Sequence, residues 1–588
     1  MTRAAASGRW RWLVAGVALL VLAGCGGIPS SSAPQVVRSI RDSPTASIAP
    51  RIVPQPGAGP DELVREFVQA GVDADAGHSK SRQFLTTAAA RRWQDNQTVV
   101  LDETNFSDPA ISGDSATVTV TGRRVGQLDA NGVFAPILKG MGTGDQETFN
   151  FSLTRSSGQW RIDQLQPGVL VSAAAFTTAF HQRQLFFFDS AQRILVPDLR
   201  YTPLQGGTLA SWLLAQLVAG PRAELAQTLV NEVPSQVGKP TVQPGNPMTV
   251  EMPGTAQLDA SGRNGLAAQL AFTLGQVQYS GGELELTDNG KAVRVPAAPS
   301  ITFSIADFNA VSPDSVVPGV VPYWVHNGAV VDSKGVPLPN ALGQARNLSS
   351  VALRRNSVAA NGSGDSLLAA GLTAEGQLLI GSARGLTPVA LRQAATSRPD
   401  WRPFSDDVWL GAGVHGGIYR VTAGQPPSPV SISSQVGPLP AGRVVALRIS
   451  SDGERIAIVL RGAEGGGSAW VGSVVTSGSD VRIDSLEPIT PPSLAVTDLA
   501  WADPTKLLLV AAAPGAEARM WQVFSDGSML DEMSNVGLPG PPTSITASQQ
   551  QPPLVSAANA IWAYNSGSWS SISGTDSTVP GSNPVYAP

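Results

Sequence analysis

The chain has 588 residues, 42% of them hydrophobic and only 14% charged, with 61 Gly, 46 Pro and a single Cys. At ~150 residues per domain this length predicts several cores, and a turn-rich, charge-poor composition favours strands over long helices. The net charge of -5, with no Lys/Arg cluster beyond the extreme N-terminus, leaves no basis for a nucleic-acid partner, and one cysteine cannot build a disulfide.

Arg3, Arg9 and Arg11 precede an apolar stretch from Trp12 to Leu22, followed by the small residues Ala23 and Gly24. This is the order of a signal peptide, and about 11 apolar residues fall well short of the ~20 that cross a bilayer. Leu22-Ala23-Gly24-Cys25 matches the lipobox of bacterial lipoproteins: a thiol to carry diacylglycerol, small residues to pass the peptidase, and an apolar Leu at the start. Residues 1–24 are therefore expected to be removed. Cys25 would become an N-palmitoyl, S-diacylglycerol cysteine that holds the protein on the extracytoplasmic face of the cell membrane. Two acyl chains at ~0.8 kcal/mol per buried methylene make such an anchor stable, where one would not. Residues 25–60 are rich in Pro, Ser and Gly without any helix or strand period, and read as an extended tether.

A first domain is expected over residues 61–181. Pro60-Asp61-Glu62 starts a helix with Leu63, Val64, Phe67 and Val68 on one face, and a second helical stretch carries Phe84, Leu85, Ala88 and Trp93. The period then changes. Ala116 to Val120 alternates as a strand, and Thr148 to Leu153 with Trp160 to Leu165 forms a hairpin around Ser156-Ser157-Gly158. Helices followed by an antiparallel sheet make this domain α+β, in an order that resembles the cone-shaped fold of nuclear transport factor 2 relatives. His78, in the loop between the helices, reads as an ordinary surface histidine.

Residues 182–310 form a second unit of alternating strands and helices. Gln184 to Asp189 is a strand too apolar to be exposed on both faces, and Ile194 to Pro197 is a second strand. Thr208 is placed to cap a helix carrying Leu209, Trp212, Leu213 and Leu217, which Gly220-Pro221 ends. Met248 to Met252 is a strand, and a further helix aligns Leu266, Leu270 and Leu274. The ordered set Leu185-Phe186-Phe187-Phe188, Leu195 to Arg200, Leu217 to Pro221 and Leu274-Gly275-Gln276 resembles a GerMN domain. The resemblance implies a small α/β envelope module without known catalysis.

From residue 311 to 588 helical periodicity vanishes, and similar segments recur every ~45 to 50 residues, the spacing of propeller blades. They include Ser350 to Leu353, Pro399-Asp400-Trp401 with Trp409, Val445 to Ile449, Asp498 to Trp501 and Thr543 to Ile545. Ser451-Asp452-Gly453-Glu454 supplies a hairpin turn. At this period the segment is an all-β propeller of six or seven degenerate blades.

Lipobox, α+β domain, GerMN-like module and propeller, in that order, resemble the actinobacterial lipoprotein LpqB family. Pro399-Asp400-Trp401 with Trp409, Arg448 to Gly453 and Val496 to Trp501 strengthen the likeness, while Ser450-Ser451-Asp452-Gly453 departs from the family's usual Ser-Pro-Asp-Gly. The resemblance implies a regulatory accessory protein that binds the extracytoplasmic domain of the sensor histidine kinase MtrB and tunes two-component signalling in envelope maintenance and division.

The residues themselves offer little chemistry, and neither an enzyme nor a cofactor is expected. His78, His181, His326 and His415 are too far apart in sequence for a zinc motif, and there is no Gly-x-Ser-x-Gly elbow. Gly411 to Gly416 fits a dinucleotide-binding string, but Ile418 to Val421 reads as a strand where that site needs a helix. Asp406-Asp407 reads as a solvated turn. The tryptophans at 324, 401, 409, 470, 501, 521, 562 and 569 read as packing between blades. The alternative function is a cell-wall glycan binder or envelope hydrolase that uses the propeller channel.

Overall fold

A computed structural model describes residues 53–587, apart from 139–145, 278–281, 316–320, 356–366, 416, 423, 434–441, 463–464 and 573–577. Leu22, Ala23, Gly24, Cys25 and the tether up to residue 52 lie outside the described residues, as does Gly416 of the dinucleotide-like string.

Pro60 opens the first helix, Pro60–Ala70, where a missing N–H breaks no intrahelical bond. Leu63, Val64 and Phe67 enter the core, with Val68 half-buried against it. The second helical stretch is interrupted. Ser81–Phe84 is a 3-10 turn, and a new helix, Thr87–Arg92, begins after Thr86, whose hydroxyl accepts the Ala89 N–H at 3.1 Å. The sheet runs in the order Gln159–Gln164, Gln146–Ser156, Ser115–Leu128, Thr98–Phe106, Val169–Ser172, with only the last pair parallel. Ser157 and Gly158, both at positive φ, turn the expected hairpin. His78 is no free surface group: its Nδ1 lies 3.1 Å from Asp95, which also accepts from Arg82 at 2.8 Å.

The middle domain alternates less regularly than its sequence suggests. His181–Asp189 and Leu195–Thr202 pair antiparallel, because Asp189 folds the chain back by accepting the Ile194 N–H at 3.1 Å. The parallel unit comes later, where Met248–Glu251 pairs with Leu284–Asp288 across helix Ala260–Leu274. Helix Gly206–Ala219 starts ahead of Thr208, whose hydroxyl donates to the Gln205 carbonyl at 2.7 Å and caps nothing. Leu213, Leu217, Leu266, Leu270 and Leu274 are completely buried, each such side chain contributing ~1.5–3 kcal/mol of transfer free energy. Only Phe188 and Asp189 of the Phe-rich strand find a partner strand on its second edge, Leu229–Val230. Helix side chains satisfy the rest: Thr273 and Gln276 accept from the Phe186 and Gln184 N–H groups, and Gln269 donates to the Phe186 carbonyl at 2.8 Å.

Six sheets follow. Blade 1 joins Val321–His326 and Ala329–Val331 to the C-terminal strand Ser582–Ala587. Blade 2 is Leu348–Arg355, Leu367–Thr373, Leu378–Ser382 and Gly385–Val389; blade 3 is Asp400–Trp401, Asp407–Ala412, Gly417–Thr422 and Ser428–Pro429. Blade 4 is Arg443–Ile449, Arg455–Arg461, Gly467–Ser477 and Asp480–Pro488, with Ser431–Ile432 added in parallel outside. Blade 5 is Ala495–Asp503, Lys506–Ala512, Arg519–Phe524 and Asp531–Glu532; blade 6 is Pro542–Ser548, Gln551–Ala557, Ala560–Asn565 and Ser568–Ser571. The innermost strands touch in a ring, Ser582–Ala587 lying between those of blades 6 and 2. Among the described residues the propeller therefore has six blades, closed by strand exchange between the two ends of the domain.

Gly411 and Ala412 end one blade 3 strand and Ile418 lies on the next, paired antiparallel to it, where a dinucleotide site would need a helix. Asp406 is exposed and paired with Arg354, but Asp407 is not in a solvated turn. It is buried at a strand start and accepts from the Thr422 hydroxyl at 2.6 Å, because its strand runs inside the blade.

Candidate functional site

Charged side chains are scarce in this chain, so those that the apolar blades bury mark the places where the fold does something specific. Two such assemblies stand out: one in the propeller channel, the other on the propeller face that meets the two smaller domains.

In the channel, Asp400 accepts the Ile449 N–H of the next blade at 2.8 Å, and Asp498 accepts the Ile545 N–H of its next blade at 2.8 Å. Trp401 and Trp501 work in the opposite direction, their indole N–H groups donating to the Ala352 and Arg448 carbonyls of the preceding blades at 3.2 and 3.1 Å. Asn583 completes the ring, donating from Nδ2 to the Ser349 carbonyl at 2.8 Å and from its backbone N–H to the Ser556 hydroxyl at 3.1 Å. Every junction between neighbouring blades thus carries a bond from or to a side chain.

Arg398 spans the centre, reaching past blade 4 to the Asp498 carboxylate and to the Ile545 carbonyl at 3.1 Å. Arg448 lies beside it. Burial and the like charge of Arg398 bring its guanidinium down to about 10, while Asp498 and Asp400 oppose the fall. Burial raises Asp400, and Arg448 holds it back. Asp498 is thus engaged by the Arg398 guanidinium and the Ile545 amide, and Asp400 by the Ile449 amide. Of the eight tryptophans read as blade packing, Trp324 and Trp409 are completely buried and Trp470, Trp501 and Trp569 nearly so, while Trp401, Trp521 and Trp562 are half-buried against the blade cores.

On one propeller face, the turns joining the first two strands of blades 3 to 6 form a seat for the middle domain. Arg193 donates to the Phe404 carbonyl of blade 3 at 3.3 Å and lies 4.7 Å over its ring. In blade 4, Asp452 grips Arg455 at 3.0 Å, and Arg455 donates to the Pro197 carbonyl of the middle domain. Asp503 and Pro504 of blade 5 face Phe186 and Pro197 across a cleft. Gln550 of blade 6 donates to the Asp314 carbonyl at 3.2 Å. A further blade 5 turn meets both smaller domains, Ser528 bonding the Tyr201 hydroxyl at 2.6 Å and Gly527 lying against Pro136.

Charge is concentrated at this seat. Asp198 pairs with Arg200 at 2.7 Å, both side chains almost wholly buried, and accepts the Arg222 N–H at 2.9 Å. Burial alone would lower Arg222, but Glu224, Asp198 and Asp526 hold it above its ordinary value. Burial raises Asp526, with Arg222 opposing. Glu454, on the blade 4 turn, is 3% exposed and is pushed up to about 8 by burial and by Asp452. Among the described residues it has no ion pair within 4.0 Å.

Sequence reasoning found the strands that carry these groups but not the groups. The available signal was a charge inside an apolar run, as in Val445-Ala446-Leu447-Arg448-Ile449, where an inward-facing arginine demands a buried partner.

A ring-closed six-bladed propeller, the Arg398–Asp498 ion pair in its channel and two smaller domains on its face, defines a multidomain protein of the propeller class. Residues 53–177 match the family model described as "Lipoprotein LpqB, N-terminal domain", and residues 328–587 match "Lipoprotein LpqB beta-propeller domain". Lipoprotein LpqB of Mycolicibacterium smegmatis is 30% identical over 487 residues, 76% of this chain and 78% of that one. Lipoprotein LpqB of Rhodococcus jostii is 29% identical over 561 residues, 90% and 89% of the two chains. The chain belongs to the lipoprotein LpqB family. Membership of a lipoprotein family implies a membrane-anchored place in the envelope, and among the described residues no helix is long and apolar enough to cross a membrane. The propeller is also similar to a gluconolactonase of Xanthomonas campestris at 12% identity and a TM-score of 0.29, over 43% of this chain and 86% of that one; this likeness carries no argument about function.

Proposed function

We propose that the chain is a non-catalytic accessory lipoprotein, held by lipid on Cys25 at the extracytoplasmic face of the cell membrane. In this reading it binds the extracytoplasmic part of an MtrB-like sensor histidine kinase and tunes two-component signalling in envelope maintenance and division. The engaged charges of the channel carry the non-catalytic part. Arg398 pairs with Asp498 and Asp400 accepts the Ile449 N–H, with Arg448 beside both, which counts against a glycan site or hydrolase centre there and leaves the outer surfaces for binding. Family membership and the lipobox support the anchor; the kinase follows from the family resemblance.

The test is photo-crosslinking in intact cells, using the full chain with Cys25 unchanged and a photoreactive residue at exposed positions such as Val414 or Val536, which are 62% and 70% exposed. Recovery of the sensor kinase from a position on one blade and not from the opposite blade supports the reading. Recovery of wall glycan alone, or of no kinase from any position, overturns it.

A further inference from the structure

The cleft between the middle domain and blades 5 and 6 has a volume of about 320 Å³, within the range of small-molecule sites. Its apolar lining is Phe186 and Phe272, ring centroids 5.4 Å apart, with Pro197 on the middle-domain side and Pro504 on the blade 5 side. Its polar lining is Gln184, two residues from Phe186 on the same strand, with Asp314, Asp503 and Gln549.

The polar groups are only partly used. Asp503 spends Oδ1 on the Thr505 N–H and hydroxyl at 2.8 and 2.7 Å, and Asp314 spends Oδ1 on the Gln549 amide. Among the described residues the second oxygen of each carboxylate has no partner and neither has an ion pair. Gln184 lines the cleft and is held through its backbone, by Gln276 at 3.0 Å. Among the described residues no Lys or Arg lines the cleft, so two carboxylates without a counter-charge repel an anionic ligand. The remaining match is a ligand with hydrogen-bond donors along its rim and an apolar C–H face.

We propose that this cleft binds a neutral polyol the size of one pyranose ring, its hydroxyls on Asp314, Asp503, Gln184 and Gln549 and its C–H face on Phe186, Phe272 and the prolines. Ring hydroxyls donate to carboxylates and accept from amides at once, which uses all four polar groups. The channel plays no part in this site, which stands or falls independently of a kinase partner.

The test is saturation-transfer NMR on the full lipidated chain in a detergent without a sugar headgroup, with methyl α-glucopyranoside and N-acetylglucosamine as probes. A saturable signal with Kd on the order of 1 mM is expected, weakened at least about tenfold by Asp503→Asn. Gln549→Ala, at an exposed turn where the fold is not at risk, should weaken it in the same direction. The absence of saturable binding, or binding that neither variant changes, overturns the proposal. So does stronger binding of lysinamide, which would make the cleft a cation site, or of glucose 6-phosphate.

Discussion

Replacing Glu454 with Gln keeps the side chain's shape while removing a charge that the fold holds at a cost. Glu454 sits on the blade 4 turn, 3% exposed, facing Asp452 on its own turn and Asp189 on the middle domain; the cations nearby are Arg402 and Arg193. Arg193 is committed to Asp189 at 2.9 Å, and Arg402 donates to the Thr476 hydroxyl at 2.9 Å. The carboxyl therefore rises from an ordinary 4.5 to about 8. At ~1.36 kcal/mol per pKa unit the full effect is about 5 kcal/mol, which relaxation of the interface reduces to about 2–4 kcal/mol. The native state holds this proton more tightly than the unfolded chain, so the stabilisation is complete below about pH 4.5 and is lost as pH rises through 8. Denaturant titrations of both proteins at half-unit steps from pH 4.5 to 8.5 would measure it. The variant should match the parent near pH 4.5 and exceed it increasingly toward pH 8, since the other titrating groups cancel in the difference. Parallel stability curves across that range would refute the reasoning.

Arg398→Ala removes the channel bridge and strips Asp498 of its guanidinium; the Ile545 N–H remains, so a loss of about 2–3 kcal/mol is expected, read as a lowered Tm. Gly527→Ala should cost about 1–3 kcal/mol in a denaturant titration: φ is +79° there, and an added Cβ would stand 2.8 Å from Pro136 Cγ, wedging the N-terminal domain off blade 5. Cys25→Ser should abolish incorporation of labelled palmitate into the chain, and continued labelling would place the lipid elsewhere.

Much of the architecture was legible before any coordinates. The period of the Val/Ala/Leu strands and the recurrence of Asp and Trp announced a propeller, and Pro60 and the Gly220-Pro221 pair marked helix ends correctly. Other signals misled for local reasons. Thr86 reads as one more residue of a helix until its hydroxyl is seen capping the next one, and Thr208 reads as a cap although its backbone is already helical. Asp407 looks like half of a solvated pair because its neighbour Asp406 is one.

What the sequence determined by itself is what depends on neighbours along the chain: strand period, turn chemistry, the lipobox pattern and the order of the domains. Tertiary structure alone decided the blade count, the closing role of Ser582–Ala587, the occupied channel and the seat. Those rest on partners far apart in sequence: Arg398 with Asp498, Arg455 with Pro197, Tyr201 with Ser528. Apolar periodicity records that a position is buried but not against what, and an Asp-Gly turn satisfies its own backbone equally well in water or beneath another domain. Asp452-Gly453 fits the hairpin either way; only the packed middle domain makes it a seat.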